Sequence, residues 1–390
     1  MDAVKMTRGW KKELKKMQKK GQDIPDFYWS FRFEGDLFDT EKEWVELQPM
    51  LSARGYDLRP RYCPGWVGKW ATGWSLFGKS MWHYADSYPS VADHLMDATR
   101  HRDGLAVMIK RVVLRKPHNE LRVCQVFADP HIASLPQNHC LRLLDIVDIP
   151  NNPRECLIVL PLLQRFDIRP FETVGEAIEF FQQMFSGLEF MHASNVAHRD
   201  ICSRNVMMYS PRMFPDGTCA FRPGRTPDPP FDLARYQSRR HVQCRYYFID
   251  FGHSTSFESF ADRRPVLTPR GQYRDAPEFN DTPCDGFKLD IWCLGKLIHD
   301  EFTSRHPAAL NFMQTIVRSM MDDDPDARPT AADCKRLLDS ALAGIDTDTY
   351  AIALDPPHDS HVDSGSSLYP SRKRKRNGND DGIWRAPLFE

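Results

Sequence analysis

Three short stretches of the 390-residue chain carry groups that could move a phosphoryl group: Lys110 in AVMIKRVVL, Asp200 and Asn205 in HRDICSRN, and Asp250 in YYFIDFG. Such transfer needs a cation on the phosphates, oxygen ligands that hold magnesium against them, and a carboxylate that orients the attacking hydroxyl. Ala106, Met108, Lys110 and Val112 alternate along a predicted strand and share one face, where a lysine wants an anionic partner. Taken alone, Lys110 reads more readily as an edge or snorkelling lysine than as a phosphate ligand. Asp200 and Asn205 flank a polar loop between an apolar helix pattern and an apolar strand pattern, and a plain connecting loop would look the same. Asp250 closes an apolar strand two residues before Gly252, so no bulky neighbour would obstruct a metal there. His198 reads as core packing rather than as a base.

These groups need a scaffold. Residues 94 to 113 read as two strands joined at HRDG, with Asp103 and Gly104 supplying the turn. In VGEAIEFFQQMFSGLEFM, residues Ala177, Phe181, Met184, Leu188 and Met191 recur at steps of three and four, predicting a core-facing helix. Further helical patterns cover 286 to 302, 309 to 321 and 330 to 343. Strands early and helices late predict an α+β fold: a small sheet-rich lobe followed by a mainly helical one. Residues 210 to 240 are rich in Pro, Gly and Arg without a period, and from about 344 the chain turns polar, which predicts an internal insertion and a disordered tail.

Composition narrows the function classes. Apolar residues make up 41% and charged residues 27%, and a formal charge of -1 gives no general affinity for polyanions, so no nucleic-acid partner is expected. The 10 cysteines form no CxxC pair and no zinc spacing, which suits reduced thiols in a cytosolic or nuclear protein. The longest clean apolar run, CLIVLPLL at 156 to 163, is too short to cross a bilayer, and no transmembrane segment is expected. Residues 1 to 20 carry 8 Lys or Arg and could form a basic amphipathic helix with weak membrane-surface contact, or a frayed terminus. SRKRKRNG at 371 to 378, with Arg372 to Arg376 all basic, reads as a nuclear import signal or a solvated charge run, so residence is expected to be nuclear or cytoplasmic.

In order along the chain, AVMIK, HRDICSRN, IDFG, DAPEF, DIWCLG and DPDARPT resemble the motif series of the protein kinase family. The resemblance covers roughly residues 60 to 342. It implies a bilobal kinase-like domain over 60–342, with an N-lobe of about 60–160, a C-lobe of about 161–342 and an insertion at about 210–245. Residues 1–59 would be an N-terminal extension and 343–390 a tail. By resemblance, Lys110 contacts the phosphates of ATP, Asp200 orients the substrate hydroxyl, and Asn205 and Asp250 hold magnesium. Glu120, the only glutamate between Lys110 and Glu155, is the expected partner of Lys110. In LIVLPLL, Leu160 and Leu162 stand where the family's adenine slot would be, although a buried strand reads the same. Glu278 and Arg328 would form a buried ion pair, and Asp290 would be structural.

The sequence also departs from that pattern. SYPSVADHLMDA has none of the glycines expected over the phosphates, and the glycines of GWVGKWATGW lie too far upstream. Cys202 stands where serine/threonine kinases usually carry lysine, Arg204 is similar to tyrosine kinases, and Gly271 replaces an expected threonine. The insertion, the MMY and FIDFG contexts and GYDLRPRY at 55 to 62 look similar to a kinase-like family abundant in mushroom-forming fungi. The expected activity is ATP-dependent transfer to a protein hydroxyl, serine or threonine ahead of tyrosine. The alternatives are a pseudokinase acting as a scaffold and a small-molecule phosphotransferase. Phosphate on Thr268 could pair with Arg199 and order the segment after Asp250.

Overall fold

The computed structural model describes residues 37–68, 84, 86, 88–90, 92–114, 120–227, 231–268, 271–273, 275–279 and 282–354. The basic start at 1 to 20 and the cluster from Arg372 to Arg376 lie outside the described residues. The chain divides into two compact units, one running to Met108 and the other from Ile109 onward.

The first unit is built around a helix, α1 (Asp39–Ala53), and two antiparallel strands, β1 (Tyr56–Leu58) and β2 (Leu95–Arg100). Trp44 on α1 is 1% exposed and donates its indole N–H to the Asp93 carbonyl at 2.9 Å. GYDLRPRY has a structural reason here. Arg61 grips the buried Glu41 carboxylate through Nε at 2.7 Å and Nη2 at 2.6 Å, and the Tyr62 hydroxyl donates to it at 3.0 Å. Arg59 donates to the carbonyls of Tyr88, at 2.6 Å, and Pro89, at 3.2 Å, and pairs with Asp97 at 2.8 Å. Tyr88 and Pro89, in the glycine-free stretch before β2, are thus held by an arginine. The predicted hairpin forms: β2 turns through Gly104, at φ 68°, into β3 (Ala106–Val113), which runs into the second unit. The positive φ accounts for glycine at that position.

In the second unit, α2 (Glu120–Phe127) and the short α3 (Pro130–Ala133) precede β4 (Asp145–Asp148) and β5 (Glu155–Pro161), which pair antiparallel. After the two-residue β6 (Gln164–Arg165) comes the central helix, α4 (Val174–Ala193), capped by the Thr173 hydroxyl. The predicted stripe Ala177, Phe181, Met184, Leu188 and Met191 is fully buried, and so are Phe180 and Phe185, so α4 is apolar on more than one face. Phe180 stacks on Phe166 at 5.0 Å and meets Tyr246 edge-on at 4.9 Å. Three more helices follow, α5 (Gly286–Ile298), α6 (Asn311–Met320) and α7 (Ala331–Ala343), where helices were expected; α5 ends in a wider turn over His299–Thr303.

His139 is buried in this core, with Nδ1 donating to the Tyr246 carbonyl at 2.8 Å. Gly187 on α4 passes so close that a β-carbon there would lie 2.5 Å from His139 Cβ. Burial pushes the imidazole down to about 4, from an ordinary value of 6.5. Its folded value lies below its unfolded one, so the stability it supports is present above pH 6.5 and is lost as pH falls through about 4. The loss is of the order of 3 kcal/mol. Urea midpoints measured from pH 7 to 4 are expected to drop more steeply in wild type than in His139→Gln; parallel curves would refute this.

Two segments are more ordered than their sequences suggest. The insertion lacks helices of more than one turn among the described residues, as its aperiodic sequence implies, yet Met213, Phe214, Phe231, Ala234 and Val242 are buried. Arg239 anchors it by donating to the carbonyls of Phe166 (2.6 Å), Pro170 (2.7 Å) and Arg169 (2.9 Å), with its guanidinium 4.1 Å from the Phe171 ring centroid. The tail expected from 343 also starts folded, which corrects that boundary. A one-turn helix spans Thr347–Ala351, Leu354 is 5% exposed, and its N–H donates to the Glu172 carbonyl at 2.9 Å. Leu354 and the backbone pairing at the start of α4 hold it there.

Candidate functional site

Lys110 lies in the middle of β3 and is 8% exposed. Its Nζ reaches Glu120 Oε1 at 2.5 Å and Asp250 Oδ1 at 2.7 Å, so the expected pairing with Glu120 forms although only ten residues separate the two. Helix α2 begins at Glu120, which is why so short a connection suffices. Burial works against the ammonium, but the Glu120 and Asp250 carboxylates more than offset it and hold its pKa above the ordinary 10.5. Burial works to raise the Asp250 carboxyl, and the Lys110 ammonium overcomes this, holding it below the ordinary 3.8. The Asp250 side chain keeps 44% of its surface exposed.

A hairpin brings the metal-ligand candidates together. Strands β7 (Val206–Tyr209) and β8 (Arg245–Phe248) pair with Val206 opposite Phe248. Asn205 precedes the first and Asp250 follows the second, and the Ile249 N–H donates to the Asn205 carbonyl at 3.0 Å. Asp250 adopts φ 62°, ψ 73°, a left-handed conformation that aspartate tolerates better than most side chains. A β-carbon on Gly252 would stand 3.2 Å from Asp250 Oδ1 and 3.6 Å from Glu120 Oε2, so the glycine keeps this corner open.

Asp200 is fixed at several atoms. Asn205 Nδ2 donates to the Asp200 carbonyl at 2.8 Å and to Oδ2 at 3.0 Å. The Gln272 N–H donates to Oδ1 at 2.9 Å, and the Asp200 N–H donates to His198 Nδ1 at 3.3 Å. His198 is fully buried and its Nε2 donates to the Ile249 carbonyl at 2.9 Å, so its role is packing, as expected. Asp290, on α5 and wholly buried, accepts the N–H groups of His198 (2.7 Å) and Arg199 (2.6 Å) and the His192 ring nitrogen (3.0 Å). It is the structural anchor of the loop. Sequence reasoning gave no part to His192; a lone histidine late in a helix carries no motif to mark it.

Arg199 donates to the Thr255 hydroxyl and to the Leu267 carbonyl, whereas the Thr268 hydroxyl lies 3.4 Å from both Val266 O and Cys284 Sγ. Cys202 is 2% exposed and burial pushes its thiol up, so it is an inert core residue. Arg204 is exposed. Arg328 meets Glu278 through two nitrogens and donates to the carbonyls of Asp322 (2.7 Å) and Lys288 (3.0 Å), the expected buried ion pair. Leu160 is the next-to-last residue of β5 and is 9% exposed within the core cluster, and Leu162 follows the strand, half-buried.

The protein kinase domain family matches residues 96–343, well over half of the chain. The chain belongs to the protein kinase family. The α+β bilobal kinase fold, with its β-rich first part and helical later part, follows from that match and from the order of elements. Among curated proteins, this kinase chain is 28% identical over 177 residues to serine/threonine-protein kinase SAPK1 of Oryza sativa subsp. japonica, covering 43% of this chain and 42% of the relative. It is 24% identical over 266 residues to serine/threonine-protein kinase ATG1c of Arabidopsis thaliana, covering 62% and 30%. Serine/threonine-protein kinase PLK4 of Drosophila ananassae matches at 22% over 153 residues, covering 39% and 16%. The chain thus spans less than half the length of each of these relatives. Among the described residues, no helix is long and apolar enough to cross a membrane.

Proposed function

We propose that the chain is an active protein kinase that transfers the γ-phosphoryl group of ATP to a protein hydroxyl, serine or threonine ahead of tyrosine. The observation that carries this reading is the assembled ion set: Lys110 bridges Glu120 and Asp250, beside a separate Asp200–Asn205 pair at the end of the same hairpin. The serine/threonine preference is supported only by the names of the relatives.

The donor set fits magnesium and ATP. Asn205 uses Nδ2 toward Asp200, which turns its amide oxygen toward other duties, and Asp250 engages Lys110 and the Gly252 N–H through Oδ1, leaving Oδ2. Two protein oxygens are what magnesium takes when phosphates complete its shell. No cluster of three or more His, Cys, Asp or Glu suited to a metal occurs among the described residues, so a metal here would depend on the nucleotide. Asn205 and Asp250 would hold the ion, Lys110 the phosphates, and Leu160 and Leu162 the adenine. Bound magnesium would neutralise charge on the transferring group. Asp200 would orient the acceptor hydroxyl and take up its proton on a carboxylate oxygen.

The missing glycines of SYPSVADHLMDA favour a second reading, a nucleotide-binding pseudokinase scaffold. Lost glycines weaken the grip on phosphate without removing any charged group the chemistry needs. The test is magnesium-dependent phosphotransfer from labelled ATP to a panel of protein acceptors. Wild type transferring no more than Asp200→Ala overturns the kinase reading, and nucleotide binding that persists then selects the scaffold. Nuclear or cytoplasmic residence and surface contact by residues 1 to 20 are proposed on the two basic clusters alone.

A further inference from the structure

We propose that the main chain at Gly271–Gln272 is the positioning device for Asp200; the proposal rests on the phosphotransfer role of Asp200. Three observations lead to it. First, Asn205 fixes only one carboxylate oxygen, Oδ2, and the other, Oδ1, is held by the Gln272 N–H at 2.9 Å. Without that bond the carboxylate could swing about its terminal torsion, which has a broad energy minimum. A hydrogen bond to an ionised oxygen is among the stronger ones a backbone amide can make.

Second, no cationic side chain pairs with Asp200 among the described residues. The residue two positions on is Cys202, buried and uncharged, which offers no substitute. Third, the close approach of the chain at residue 271 demands a residue without a side chain. A β-carbon on residue 271 would lie 2.5 Å from Asp200 Oδ1 and 3.4 Å from its Cγ, and Asn205 holds the carboxylate from the other side. The replacement of threonine by glycine is therefore not a loss of contact. It lets the chain come close enough for the next amide to do the work.

Gly271 and Gln272 are positioning residues, acting on turnover through Asp200. Gln272→Pro removes the N–H, whereas Gln272→Ala keeps it and removes only the exposed side chain. Gly271→Ala forces the β-carbon onto the carboxylate. Both Gln272→Pro and Gly271→Ala are expected to show a kcat at least tenfold below that of Gln272→Ala, with the KM for ATP within about twofold across the series. Residue-resolved hydrogen exchange supplies a readout independent of activity. The Gln272 amide is expected to exchange at least tenfold faster in full-length Asp200→Ala than in wild type.

Equal kcat for Gln272→Pro and Gln272→Ala overturns the proposal. A higher kcat for Gln272→Pro also overturns it, because the contact would then be a block on Asp200. An exchange rate unaffected by Asp200→Ala overturns it even if the proline variant fails to fold. If wild type transfers no phosphate at all, the kinase reading is what has failed, and the exchange measurement still decides whether Gln272 holds Asp200.

Discussion

Asp200→Ala is expected to lower kcat by about 10²- to 10⁴-fold, the usual share of a positioned general base, while nucleotide affinity changes by less than about threefold. The separation follows from the geometry. Asp200 makes its bonds to Asn205, Gln272 and His198, and shares none with Lys110, Glu120 or Asp250. Lys110→Met should behave differently, since it leaves two neighbouring carboxylates without their common cation, and it is expected to weaken nucleotide binding and turnover together. Asp200→Asn sharpens the contrast. Its amide would have to meet two donors, the Asn205 NH2 and the Gln272 N–H, with one oxygen, so one bond is lost and the residual activity should stay near that of alanine. Steady-state kinetics with ATP varied, alongside binding of a fluorescent nucleotide, read both quantities. An Asp200→Ala protein with wild-type kcat would remove this residue from the chemistry.

Arg328→Met is expected to be the most damaging single substitution for stability. Arg328 is 2% exposed and Glu278 7%, and removing one partner strands a buried charge at a cost of about 3–5 kcal/mol. The arginine also satisfies the carbonyls of Asp322 and Lys288, which methionine cannot do. For a domain of this size, each kcal/mol moves Tm by roughly 2–4 °C, so a fall of about 6–20 °C is expected. The double variant Glu278→Leu with Arg328→Met should recover part of that loss, because it no longer buries a lone carboxylate. Thermal unfolding decides it. A shift under about 2 °C would show that the pair is not buried as described.

The site was legible where chemistry is carried by side chains at fixed short spacings. Asp200 and Asn205 lie five residues apart, Asp250 ends a strand, and a hairpin brings these ends together without any long-range inference. Glu120 could be found by elimination once the kinase resemblance called for a partner to Lys110, and α4 by its period. What escaped reading were contacts made by main chain. Gln272 holds Asp200 through an amide that every residue but proline possesses, so no residue type advertises it. The insertion likewise reads as loose because Arg239 binds carbonyls, and nothing in a Pro- and Arg-rich stretch distinguishes a solvated arginine from an anchoring one. The start of the tail is fixed by strand-like bonds to the turn before α4, again without a side-chain signature.

That anchoring by Arg239 has an evolutionary corollary. Its acceptors at positions 166, 169 and 170 are all peptide oxygens, so substitutions on that side leave the bonds intact provided the backbone keeps its path. The burden of identity falls on one residue alone. Lysine, with a single point of donation and no planar face to lay on Phe171, could not replace it. Across diverging descendants, Pro170 should therefore vary in type more freely than Arg239, while Phe166 is held by its own packing on Phe180, a lopsided drift that a mutational scan of both segments would expose.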